Sequence, residues 1–192
     1  MNFLGHLYFS NNDKDLMLSN LYGDFVRGKD YTHYSAKIQQ GITLHRAIDN
    51  YIDTHPSVTE LRLSLYSYLP KVAGVAIDLY FDHLLARTWE LHHEENYFEY
   101  LQAFYSHQSE LEQEFKPEFA NFIFHFRNRK WLDHYPTAFG LQKSCEGVSK
   151  RISFENKLHA APEIFYLKEA EITQCFDAYM VDAKQVIKNL IE

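Results

Sequence analysis

Apolar side chains recur every three to four positions along most of this chain, the period of a helix with one buried face. The pattern is clearest near the C-terminus, where Ile172, Cys175, Phe176, Tyr179, Ala183, Val186, Ile187 and Leu190 share a stripe. Lys184 and Lys188 fall in the last turns of that stretch, where the negative end of a helix favours cations. Helices are also expected over 13–27, where Gly28 stops the first, and over 34–54. Ser57-Val58-Thr59-Glu60 after Pro56 reads as a capping box. Pro70 ends the helix it starts, and another runs over 72–91. Only 7 Gly and 5 Pro occur in 192 residues, and no Asn-Gly or Asp-Gly pair marks a hairpin, so a protein of many short strands is disfavoured. The expectation is an all-α, single compact domain over 1–192, with about seven to nine helices. The length suffices for one buried core and is short for two.

Composition narrows the function. A hydrophobic share of 46% with 23% charged residues is that of a folded globular chain. The N-terminus has neither the basic start nor the apolar run of a secretory signal. No stretch reaches the ~20 apolar residues of a membrane span, so a cytoplasmic protein is expected. Cys145 and Cys175 are isolated and form neither a disulfide framework nor a zinc motif. A net charge of -7 argues against nucleic acid and anionic membranes as partners. That charge is polarised. Residues 88–115 hold no Lys or Arg, whereas Arg127, Arg129, Lys130, Lys143, Lys150 and Arg151 follow in a short basic stretch.

Aspartate inside apolar helices needs a reason, because it is a mediocre helix former. His45, Asp49 and Asp53 are spaced four apart and so stack along one helix face, neighbours ~6 Å from each other. In Ile77-Asp78-Leu79-Tyr80-Phe81-Asp82-His83 the two acids share a face and His83 lies about 100° further round. Ionised carboxylates in such surroundings require a positive partner. Arg27, Arg46 and Arg87 can supply it as ion pairs, or can instead face a phosphate. A divalent cation is the other solution. A His/Asp donor set without thiolates suits Mn, Mg, Fe or Zn. His6, in an apolar segment, reads first as a core histidine and second as a ligand. No P-loop, G-x-G-x-x-G or G-x-S-x-G is present. Glu90-Leu91-His92-His93 is a single E-x-x-H with no second copy to build a di-iron bundle.

Four segments, Asn2-Phe3-Leu4-Gly5-His6-Leu7, Asn20 to Gly28, Gly41 to Asp49 and Asp78 to Arg87, stand in the order and spacing of one family. Over nearly its whole length the chain resembles the acyl carrier protein phosphodiesterases, or acyl carrier protein hydrolyases, an atypical branch of the HD phosphohydrolases. The resemblance implies an HD-phosphohydrolase-like helical enzyme, favouring manganese, that removes the 4'-phosphopantetheine arm from holo-acyl carrier protein. One departure is that the chain has no His-Asp dipeptide, only the reversed Asp82-His83. On this reading the metal ligands come from Asp24, His45, Asp49, Asp82 and His83, with His6 less favoured. Asp78 and Asp53 orient histidines or act as base, and Arg27, Arg46 and Arg87 hold the phosphate. Arg127, Arg129 and Lys130 dock the acidic carrier, with Lys29 and Lys37 the alternative patch. Two other readings stay open: the same metal site acting on a nucleotide or other small phosphoester, and a non-catalytic helical binding protein whose acids pair with arginine.

Overall fold

The structure is a computed structural model that describes the backbone of residues 1–191 and side chains through Asn189; Leu190 of the predicted stripe lies outside the described side chains. Among the described residues the chain is all helical: α1 (Phe3–Tyr8), α2 (Lys14–Tyr22), α3 (Ala36–Thr54), α4 (Pro56–Leu65), α5 (Ala73–Arg87), α6 (Tyr97–Ser106), α7 (Pro117–Arg129), α8 (Ala138–Ser149), α9 (Ala161–Leu167) and α10 (Glu169–Ile191). Five short 3-10 turns join them, and no helix is long and apolar enough to cross a membrane. The all-α expectation holds; the two shortest helices, α1 and α9, bring the number to ten.

Several boundaries shift for local reasons. Pro56 takes the first helical position of α4, where its missing N–H costs nothing, so Ser57 lies inside the first turn and the predicted capping box does not form. That helix ends at Leu65, before Pro70. The helix expected to run to Arg27 stops at Tyr22 and gives way to the 3-10 turn Gly23–Phe25.

Helix α5 is apolar nearly all round, which places it at the centre. It touches α1, α4, α8 and α10, and eleven of its side chains are buried. Helices α2 and α3 form the closest pair, and Gly41 is what lets them meet: a Cβ there would lie 2.2 Å from that of Ser19. The aromatic-rich segment from Phe115 to Trp131 is core. Phe119 and Phe126 are fully buried, and the rings of Phe122 and Phe126 each lie 5.4 Å from that of Phe3, fastening α7 to α1. Cys145 and Cys175 are buried, unpaired thiols.

The buried Asp82 carboxylate, which has no exposed surface, ties α1 to α5. It accepts hydrogen bonds from the backbone N–H of Asn2 (3.2 Å), Leu4 (2.7 Å) and Gly5 (3.0 Å). These are the donors that the start of a helix leaves without an intrahelical partner. Burial pushes the Asp82 carboxyl up to about 7, against the pull of the Leu4 and Gly5 amides. Replacing it by alanine strands those donors in the interior. Asp82→Ala is expected to lose about 2–4 kcal/mol in urea unfolding, whereas Asp82→Asn, which keeps an acceptor, loses less.

Candidate metal centre

Three helices and one turn converge on a polar cleft of about 260 Å³, lined by Met1, Asn2, His6, Asp24, Asp49, Ile52, Asp53 and Asp78. His6 from α1 and His45 from α3 stack face to face, ring centres 4.1 Å apart and planes 14° from parallel. His45 Nε2 lies 3.3 Å from Asp24 Oδ1 and 3.2 Å from Asp49 Oδ2; His6 Nε2 lies 3.3 Å from Asp49 Oδ1. One donor atom from each of His6, His45 and Asp49 falls within 4.8 Å of the other two. Asp24 reaches the group because its turn lies directly on the imidazole. A Cβ at Gly23 would come within 2.4 Å of His45 Cγ, so a larger residue would lift the turn away.

The proton on His6 can be placed by following its partners. Ser10 Oγ donates to the His6 carbonyl at 2.8 Å, so its oxygen is free to accept from Asn20 Nδ2 at 3.1 Å. Asn20 Nδ2 also donates to the His6 carbonyl at 3.0 Å, which leaves Asn20 Oδ1 as an acceptor, 2.9 Å from His6 Nδ1. His6 Nδ1 therefore carries the hydrogen, and the Nε2 lone pair faces the Asp49 carboxylate. Burial, reinforced by the neighbouring His45, lowers the His6 pKa and disfavours a second proton. A cation held by these groups would resolve that opposition, and a partner holding the other ring nitrogen is the usual support of a ligating histidine. The residues present fit a divalent ion with mixed nitrogen and oxygen donors.

The chain matches the family model for acyl carrier protein phosphodiesterase over residues 1–183. It belongs to that family. It is also similar to proteins named acyl carrier protein phosphodiesterase from Salmonella paratyphi A (strain ATCC 9150 / SARB42), Salmonella agona (strain SL483) and Salmonella newport (strain SL254). Each is 34% identical over 155 residues, covering 79% of both chains. No solved structure matches it significantly.

Of the four segments that carry the family resemblance, the first three meet at the cluster, bringing His6, Asn20, Asp24, His45 and Asp49 together. The fourth divides. Asp78 lines the cleft, 2.9 Å from the Met1 ammonium, while Asp82 turns to the α1 amides. His83 is not at the cluster either; its Nδ1 donates to the Tyr135 carbonyl at 2.7 Å, which the helical register of residues 77–83 gave no means of foreseeing. Asp53 lines the cleft with its carboxylate 3.7 Å from Arg62. Arg46 donates to the carbonyls of Val26 and Gly28 and stacks over Tyr31, and Arg87 pairs with Glu169 at 2.6 Å; neither lines the cleft. Arg27 is exposed just past the turn that carries Asp24, and it does not line the cleft either. The residue that reading the sequence missed is Asn20, and the segment Asn20 to Gly28 was its one signal.

Asp49 is held well below the usual carboxylate range by the hydrogen bond from His45, which outweighs its burial. For His45, burial acts downward, but the carboxylates of Asp24 and Asp49 prevail and push it up to about 9. A histidine raised on folding contributes stability below its unfolded pKa and loses it as pH rises through the folded value. The metal-free protein is thus expected to lose on the order of 2 kcal/mol between pH 6.5 and 9, after screening at the half-exposed carboxylates. Thermal melts across that range check this, and His45→Asn should flatten the slope.

Proposed function

We propose that this chain is a metal-dependent phosphodiesterase that hydrolyses holo-acyl carrier protein to apo-acyl carrier protein and 4'-phosphopantetheine. The observation that carries the metal dependence is the His6 Nε2 lone pair aimed at the Asp49 carboxylate, with Asn20 holding the opposite nitrogen. Membership of the family supports the substrate. His6, His45, Asp49 and Asp24 hold the ion, which we assign as manganese. When bound, such an ion supplies Lewis acidity toward the phosphoryl oxygens and a water of lowered pKa.

The remaining residues orient the reaction. Asp53 and Asp78 line the same cleft, and one of them takes the proton of the attacking water. The water oxygen bonds to phosphorus, the bond from phosphorus to the carrier's serine oxygen breaks, and that proton is returned to the serine. Arg27 is the guanidinium assigned to the phosphoryl oxygens. A carrier-protein substrate makes the cytoplasm the place of action. Carrier docking falls to the C-terminal end of α7. Arg127 is paired there with Glu112 at 2.9 Å, leaving the exposed Arg129 and Lys130 to meet an acidic surface.

Mass spectrometry of holo-acyl carrier protein incubated with the protein and manganese tests the reading. The arm is expected to be lost with the metal and retained with a chelator; retention in both sinks the proposal. His45→Ala and Asp49→Asn are each expected to lower turnover more than about 100-fold, beyond the loss typical of an outer partner alone, and to weaken manganese binding with helical circular dichroism unchanged. Charge reversal at Arg129 and Lys130 should raise KM about tenfold with kcat nearly constant; steady-state kinetics decide it.

A further inference from the structure

A second cleft of about 440 Å³ opens beside the first, within the size range of small-molecule sites. Phe3, Trp131, Tyr135, Phe139 and Val148 make its lining mainly apolar, and Ser144 and His134 place polar groups on the same walls. Asn2 lines both clefts, so the two adjoin at the start of α1. The walls are built rather than left over from loose packing. The His83 bond to the Tyr135 carbonyl holds one wall, and Gly140 seats α8 on that same stretch, since a Cβ there would fall 1.9 Å from the His134 carbonyl oxygen.

The metal cleft cannot serve an aliphatic chain. Four carboxylates line it, and Ile52 and Met1 are its main apolar side chains. Cleavage between phosphorus and the carrier's serine leaves the phosphate on the arm. An arm whose phosphate lies at the histidines must therefore carry its branched aliphatic, amide-containing chain somewhere else. The adjoining cleft offers apolar surface for the methylenes and hydrogen-bonding side chains for the amides. We infer that this cleft, between the start of α1 and α8, binds the pantetheine portion of the arm. The inference rests on the phosphodiesterase reading and adds the subsite by which the enzyme recognises what it removes.

Gly147 gives a clean test. It lines the cleft, and a Cβ built on it meets nothing within 4 Å. A side chain there narrows the cleft without crowding the protein, and leucine is a better helix former than glycine. Two readouts are compared for the metal-loaded wild type, Gly147→Ala and Gly147→Leu: calorimetric binding of pantetheine, which has no phosphate, and cleavage of holo-acyl carrier protein. The wild type is expected to bind pantetheine. Gly147→Leu should bind it at least about tenfold more weakly and show a similar fall in kcat/KM, with Gly147→Ala intermediate and all three equally helical. No binding by the wild type, or equal binding by Gly147→Leu, overturns the subsite. Pantetheine binding that Gly147→Leu weakens, in a wild type that leaves the carrier uncleaved, overturns the phosphodiesterase reading and supports the subsite.

Discussion

The buried carboxylate of Asp82 is the contact on which the arrangement of the site depends. A charge without access to water is costly, and here backbone donors that would themselves be costly to bury offset it. Each side of the contact needs the other. The result is that a helix of only six residues, too short to be stable alone, is held at one angle across α5. Everything α1 contributes follows from that angle: His6 toward the cluster, Asn2 between the clefts, Phe3 against α7.

The second layer of organisation is a chain of assigned protons. Ser10, Asn20 and the His6 carbonyl leave His6 one tautomer, and that tautomer directs a lone pair at a carboxylate. A lone pair and a carboxylate facing each other form a donor set that suits a cation. Of the arginines near these acids in the sequence, Arg46 and Arg87 are engaged elsewhere and Arg27 is exposed outside the cleft.

Much of this was legible in the residues, and the limits have physical causes. Helical spacing identified α3 and α10 and placed His45 and Asp49 on one face, because a period of 3.6 residues converts directly into neighbours. It could not say what that face would meet. His6 is a single polar residue in an apolar run, and its partners come from α2 and α3, so no local pattern distinguishes it from a core histidine. Asp82 and His83 sit in a helix buried nearly all round, where register gives the direction of a side chain but not its destination. The Ser57 box failed for a more local reason: a proline one position earlier had already begun the helix.

Gly23 and Gly41 have no side chains with which to bind, polarise or transfer anything. Yet one lets the Asp24 turn rest on an imidazole and the other lets α2 close on α3. In a survey of every substitution, these two positions would score with the histidines rather than with the rest of the scaffold, although neither touches a substrate. Intolerance to change in this chain therefore marks where helices must come together as much as where chemistry is done.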